Sequence, residues 1–341
     1  MNRSRFPYYE GVFYVQIARY YEQVENLAVK CHLCPHHCLI ENGNFGFCGA
    51  RENQNGILMA RTYGVISSYA FDPIEKKPLF HFYPGKQIAS FGSFGCNFKC
   101  QFCQNYKISQ CIETGTTISV EELIQMSLLN SSSIGIAATY NEPCIQIEYL
   151  LDLFKANRVI GKKNIVISNG FVETAPLKEL VALTDAFNID LKGYTEGFYQ
   201  DICGGKLKPV IENIASIYGK SHLELTFLLI PGLNDHPKEM AYMFEAIQAI
   251  GADIPLHISQ YYPNYKMKIT QTSYNELLEA VSLARQYLDD VYLGNVYDHE
   301  NNTVCKRCGY TLVTRSTGSV KVNFQDEKCP SCQVTHNIHF D

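Results

Sequence analysis

The stretch SFGCNFKCQFCQN, Ser93–Asn105, holds Cys96, Cys100 and Cys103 in the spacing C-x3-C-x2-C. Three thiolates this close, with no fourth beside them, leave a structural zinc site incomplete, because such sites take four ligands. They suffice to hold three irons of a [4Fe-4S] cluster and leave the fourth iron open for a substrate or cofactor. The loop directly follows a short apolar run, QIASFGS from Gln87, and that run begins a series. IGIAATY from Ile134, NIVISNG from Asn164, AFNIDLK from Ala186, LELTFLLI from Leu223, IPLHISQ from Ile254 and VYLGNV from Val291 read as strands. Between them SVEELIQMSLL, CIQIEYLLDLFKANR, APLKELVAL, PKEMAYMFEAIQAI and SYNELLEAVSLARQYL repeat apolar residues at helical spacing. Several of these open on Ser, Thr or Pro, as helix N-termini do. Strands alternating with helices predict an α/β fold with a parallel sheet and right-handed crossovers. The expected form is a partial (β/α) barrel of about six strands. An open doubly wound sheet is the alternative, disfavoured by the lack of G-x-G-x-x-G at the first turn. A barrel places its chemistry at the C-terminal ends of its strands, where the three-cysteine loop stands.

The chain has 341 residues, 46% of them hydrophobic, enough for a substantial core and two or three domains. The net charge of -5 comes without a basic block or stripe, so nucleic acid is not indicated as a primary partner. The start, MNRSRFPYYEGVFYV, lacks the apolar core of a secretory signal, and no apolar run is long enough to span a membrane. A cytoplasmic protein is expected. Fourteen cysteines in such a protein read as metal ligands rather than disulfides. All but Cys111, Cys144 and Cys203 fall into three clusters, and those three are expected to be small buried hydrophobes.

The clusters divide the chain into an N-terminal Cys-rich segment (1–60), the barrel (61–298) and a C-terminal module (299–341). In the last, Cys305, Cys308, Cys329 and Cys332 form C-x2-C-x20-C-x2-C around a hairpin pattern. That is a zinc-ribbon-like arrangement, with a closed tetrahedral site for zinc, although the same thiolates accept iron. In the first, Cys31, Cys34, Cys38 and Cys48 lie on a Gly-punctuated loop, and both zinc and an auxiliary [4Fe-4S] cluster fit the set. Before the first strand, Asp72, Glu75, Lys76 and Lys77 read as a solvated face, while His81 and Tyr83, two apart in a strand-like run, are candidates to point toward the site.

C-x3-C-x2-C with an aromatic, Phe102, before its last cysteine resembles the signature of the radical S-adenosylmethionine (SAM) enzymes. The longer GCNFKCQFCQN is similar to the branch that contains the pyruvate formate-lyase activating enzymes. The resemblance implies that the amine and carboxylate of SAM chelate the open iron. One electron then cleaves SAM to methionine and a 5′-deoxyadenosyl radical, which abstracts a hydrogen atom from a substrate. It further implies SAM contacts in TYNEP (Asn141 and Glu142), SNGF (Ser168 and Asn169) and DLK (Asp190 and Lys192), each at a predicted strand end, with Phe102 and His257 as additional contacts. Singly, Asn-Gly is an ordinary turn and Asp190–Lys192 an ordinary surface pair. CHLCPHHCLIENGNFGFCGAR and YGVISSYAFDPIEKKPLFHFYPG, with the loop itself, resemble the radical SAM enzyme of the AmmeMemoRadiSam system. That likeness implies a one-electron donor such as flavodoxin or ferredoxin, and Memo-type and AMMECR-type proteins as partners. Within this chemistry, modification of an unidentified substrate competes with activation of a glycyl-radical enzyme. Outside it stands a non-catalytic zinc-binding interaction protein.

Overall fold

The computed structural model describes residues 16–110, 115–296, 301–316 and 318–340. Cys111, the first fifteen residues and the boundary expected at 298–299 lie outside the described residues.

One eight-stranded sheet organises the molecule. Its strands, in chain order, are β1 (Ser68–Pro73), β2 (Gln87–Gly92), β3 (Ser133–Ala138), β4 (Lys163–Ser168), β5 (Ala186–Asp190), β6 (His222–Leu229), β7 (Leu256–Gln260) and β8 (Val291–Gly294). They lie side by side in that order. β2 to β8 pair in parallel throughout, while β1 runs antiparallel to β2 with Ser68 opposite Gly92. The seven apolar runs read from the sequence are the seven parallel strands. About six strands were expected, and β1 is added at the edge. Among the described residues β1 and β8 are not paired with each other, so the sheet does not close by hydrogen bonds.

The parallel strands are rich in apolar residues because both of their faces are covered. Ile165, Val166, Phe187, Leu225, Phe227, Leu256 and Ile258 are all buried. The helices that cover them are α1 (Val120–Ser127), α2 (Ile147–Val159), α3 (Thr174–Val181), α4 (Leu207–Ile217), α5 (Pro237–Ile250) and α6 (Tyr274–Ala284). α1 and α6 each begin with a capping box, Ser119 with Glu122 and Ser273 with Glu276, which satisfies end donors locally. α5 begins on Pro237, whose missing N–H costs nothing at that position. In β3, Gly135 lets β4 approach: a β-carbon there would lie 2.0 Å from the Lys163 carbonyl oxygen.

Two three-stranded antiparallel sheets form the N-terminal segment. One joins Tyr21–Gln23, Val29–Cys31 and Leu39–Ile40, the other Gln16–Ile17, Ile57–Ala60 and Arg51–Gln54. A buried ion pair fastens this segment to α2: Arg51 donates to Glu148 at 2.6 Å and to the Arg19 carbonyl at 2.7 Å. The C-terminal module is a third small sheet, Thr303–Val304, Thr311–Ser316 and Ser319–Val322, over its own core of Leu312, Val313, Phe324 and Ile338.

The segment from Asp72 to Tyr83 departs from the sequence reading. Lys77 is buried and donates to Asp72 at 2.8 Å, and Glu75 accepts from Gly85 N, so only Lys76 keeps a largely exposed side chain. The charges are a buried tether rather than a solvated face. His81 and Tyr83 do not point toward the site. Pro78–Tyr83 forms no strand, His81 bonds the Tyr292 hydroxyl at 2.6 Å, and Tyr83 lines a cleft remote from the cysteine loop. The departure has one cause: Phe80 N and His81 N donate to the carboxylate of Glu224 on β6, at 2.9 and 2.7 Å, which draws this segment inward.

Candidate active site

A cavity of about 980 Å³ lies at the C-terminal ends of the parallel strands. Cys96, Cys100 and Cys103 line it, together with all eight residues expected around them. The cysteine loop leaves β2 through Gly95, at φ +77, where a β-carbon would stand 2.5 Å from the Cys48 carbonyl oxygen. A side chain there would push apart two loops that a Cys96 N to Cys48 O hydrogen bond holds together. Asn141 shapes the same loop: it accepts from Ser93 N and donates to the carbonyls of Phe94 and Gly95.

The thiolates are set among donors. Phe98 N lies 3.3 Å from Cys96 Sγ, Asn169 Nδ2 lies 3.8 Å from the same sulfur, and Ser109 Oγ lies 3.1 Å from Cys103 Sγ. Hydrogen bonds to cluster thiolates are one of the means by which a protein sets cluster potential. Hydrogen bonding to Cys203 and burial push the Cys100 thiol well above its usual range, so metal binding there must displace a proton. Cys144 and Cys203 are buried, as lone cysteines were expected to be, yet both border the site, Cys144 at 3.5 Å from Ser168 Oγ. The donor set and the three-cysteine count fit a [4Fe-4S] cluster with one open iron.

Glu142 holds the strand ends together. Its Oε1 accepts from Ser168 Oγ at 2.7 Å and Cys144 N at 2.9 Å, and its Oε2 from Asn169 N at 2.8 Å. The Cys144 thiol is a fourth donor to it, and Glu142 lines the cavity, where its charge can face an ammonium. Burial raises this carboxyl above its ordinary value, against the pull of the Asn169 and Cys144 amides, the Ser168 hydroxyl and the Cys144 thiol. Asn169 in turn donates to Asn97 Oδ1 at 2.8 Å. Opposite, Lys192 donates to Asp190 at 3.0 Å and sits 5.9 Å from the Phe102 ring centroid. Burial works against the charge on Lys192, but Asp190 and the thiols of Cys100 and Cys203 outweigh it and hold the amine well above its usual value.

His257 stands apart from the other seven. It is the second residue of β7, not a strand-end residue, because the strand begins later than the sequence run. Its Nε2 lies 2.6 Å from Glu224, so the ring is fixed by a protein carboxylate. Glu224 is fully buried and also lies 2.9 Å from His222 Nε2. Burial pushes its carboxyl up, but the bonds from His222 and His257 prevail and hold it well below the usual range. Burial drives His81 the other way for a base, down to about 3. Sequence reading passed over Glu224 because it looks like the polar position of an edge strand.

Two further features had no clear sequence signal. Tyr140, directly before Asn141, has φ +71, a strained value for a tyrosine, and is held by its hydroxyl on Asp72 and by Lys77 4.6 Å from its ring centroid. The C-terminal module also reaches the cavity. Arg315, Ser319 and Val320 line it, and Arg315 donates to the Phe80 carbonyl at 2.6 Å. The four cysteines of that module converge, with all sulfurs within 4.8 Å and the Cys305–Cys332 and Cys308–Cys329 pairs at 3.5 Å. That is a group able to hold a metal ion. Among the described residues no helix is long and apolar enough to cross a membrane.

Comparison with known proteins agrees with this geometry. The family model described as the radical SAM superfamily matches residues 91–244. An uncharacterized protein of Methanocaldococcus jannaschii is 39% identical over 326 residues, covering 93% of this chain and 96% of that one. The pyruvate formate-lyase 1-activating enzyme of Escherichia coli is 26% identical over 160 residues, 45% of this chain and 64% of that enzyme. In fold, a radical SAM methyltransferase from Sphaerobacter thermophilus superposes with a TM-score of 0.52 at 11% identity, over 63% of this chain and 68% of that one. With the superfamily's model seated on the residues that carry Cys96, Cys100 and Cys103, and a relative similar from end to end, the chain belongs to the radical SAM superfamily, with homology to the pyruvate formate-lyase activating enzymes.

Proposed function

We propose that this protein binds SAM in the cavity at the strand ends and cleaves it reductively to modify a substrate by hydrogen-atom abstraction. The single observation that carries this reading is the gathering of Cys96, Cys100 and Cys103 with Glu142, Asn169, Asp190 and Lys192 around one cavity. When bound, the cluster supplies one electron to SAM, giving methionine and a 5′-deoxyadenosyl radical. The chain's own residues position and exclude. Cys96, Cys100 and Cys103 hold the cluster, and Asn169 and Ser109 donate to two of those sulfurs. Glu142 faces the SAM ammonium with its charge. Ser168 and Asn169 hold that carboxylate still. Asp190 and Lys192, a charge-balanced pair, flank the nucleoside side, and Phe102, on the cluster loop itself, presents an apolar ring with its centroid 5.9 Å from Lys192 Nζ. The ribbon residues Ser319 and Val320 form part of the cavity wall, a cover that limits water and so protects a radical from quenching.

Activation of a glycyl-radical enzyme is the second reading, supported by the likeness to the E. coli activating enzyme. Modification is preferred because that likeness covers less than half of the chain, and two further four-cysteine sets accompany the cavity. The rest of the reading is a protein of three parts (1–60, 61–298, 299–341) with zinc in the ribbon. It works in the cytoplasm with a flavodoxin- or ferredoxin-type donor and with Memo-type and AMMECR-type partners of the AmmeMemoRadiSam system.

Glu142→Gln tests the SAM site. An amide keeps one acceptor oxygen but turns an NH2 toward donors, and it removes the charge facing the ammonium. A hydrogen bond to a charged group contributes about 1.5–3 kcal/mol, so SAM binding to the reconstituted protein should weaken roughly ten- to a hundredfold. The check is SAM titration followed by the cluster's electron paramagnetic resonance (EPR) signal. Unchanged affinity would remove Glu142 from the site.

A further inference from the structure

The four N-terminal cysteines surround one small void together with Arg51 and Ile145. Cys31 ends a strand, Cys34 and Cys38 follow in a turn closed by the Cys31 N to Cys38 O bond of 2.9 Å, and Cys48 comes from the next loop. The spacing of their sulfurs discriminates between the two ligands that the sequence allows. A single zinc ion with bonds of about 2.3 Å requires sulfurs roughly 3.8 Å apart. The ribbon cysteines meet that condition, and they are the only group of three or more thiol, imidazole or carboxylate ligands among the described residues that gathers within 4.8 Å. No three ligands of the N-terminal set stand so close. Neither do Cys96, Cys100 and Cys103. A four-iron cluster presents its irons at separate corners, so its thiolates stand farther apart than those of one ion. Like the cluster loop and unlike the ribbon, the N-terminal set does not gather three ligands within 4.8 Å, the arrangement that a single ion needs.

Arg51 supplies an independent observation. It is 1% exposed and lines the void. Two of its nitrogens are occupied, by the Arg19 carbonyl and by Glu148, but its Nε has no hydrogen-bond partner among the described residues. A buried N–H without an acceptor is costly, and it calls for one. The sulfurs of an iron–sulfur cluster are such acceptors, and the guanidinium offsets their negative charge. The site also adjoins the catalytic loop directly, through the Cys96 N to Cys48 O bond of 3.2 Å and through His36, whose ring lies 2.7 Å from the Asn97 carbonyl oxygen.

We propose that Cys31, Cys34, Cys38 and Cys48 hold a second iron–sulfur cluster of the four-iron class, with Arg51 Nε donating to it. Four thiolates close every corner, so this cluster offers no open iron and does not bind SAM. Its place is beside the catalytic loop, joined to it ligand loop to ligand loop. The comparison with Cys96, Cys100 and Cys103 rests on the superfamily assignment, but the test does not. In the Cys96→Ala/Cys100→Ala/Cys103→Ala protein, reconstituted anaerobically, the iron that remains reports the N-terminal set whether or not the chain cleaves SAM. That protein is expected to stay brown and hold about four irons and four sulfides per chain, against about eight of each in the unaltered protein. After reduction it should give a cluster EPR signal that SAM does not alter. Adding Cys34→Ala and Cys38→Ala should remove that iron and leave about one metal ion in the ribbon. A triple variant without iron, with or without a second zinc, overturns the proposal. So does a content of about four irons that survives the loss of Cys34 and Cys38. If the added substitutions cost the fold, the iron content of the triple variant still decides the matter.

Discussion

Glu224→Gln is expected to lower the free energy of unfolding by about 3–5 kcal/mol, the cost typical of breaking a buried charged cluster from one side. Four donors converge on this carboxylate: Phe80 N, His81 N, His222 Nε2 and His257 Nε2, between 2.6 and 2.9 Å. Glutamine keeps the shape, but its NH2 faces two of those donors and can accept from neither. The consequence spreads, because Glu224 is what draws the Pro78–Phe82 segment against β6 and β7. Arg315 of the C-terminal module fastens to the same segment at Phe80. Denaturant unfolding with a far-ultraviolet signal measures the loss. A change below about 1 kcal/mol would mean that the network is incidental to the fold.

Glu148→Leu should cost a comparable amount, about 3–5 kcal/mol, by stranding the guanidinium of Arg51 in the interior. Glu148 also accepts from Arg19 N at 2.7 Å, so its loss frees a backbone donor as well. The exposed Arg19–Glu179 pair is the natural control. Its separation of 2.7 Å is nearly the same, yet both side chains are more than two-fifths exposed. Solvent screens such a pair, and Glu179→Ala should change stability by less than about 1 kcal/mol. Burial, not distance, separates the two cases. Equal losses from the two variants would show that Arg51 is reached by water or supported elsewhere.

The parallel strands were legible in the sequence for a physical reason. Strands covered on both faces are rich in apolar residues, and the loops that leave their C-terminal ends carry the polar residues of the cavity. For the same reason Glu142, Ser168, Asn169, Asp190 and Lys192 could be placed at strand ends without coordinates. What stayed hidden depends on partners distant in the chain. Glu224 finds Phe80 and His81 more than 140 positions away, and no local pattern announces that. Lys77 and Asp72 look like surface charges until Tyr140 closes over them. His257 lines the cavity, but no local pattern announces that its Nε2 is held by the same carboxylate. The reach of the ribbon into the cavity also has no sequence signature, because it depends on how two separate cores meet.

The central claim is tested most directly by product analysis. The reconstituted protein, reduced anaerobically and given SAM, is expected to release 5′-deoxyadenosine and methionine in equal amounts, and Cys100→Ala should release neither. If the unaltered protein, loaded with a reducible cluster, yields no SAM-dependent 5′-deoxyadenosine, or if Cys100→Ala yields as much, then the cavity at the strand ends is not a site of reductive SAM cleavage.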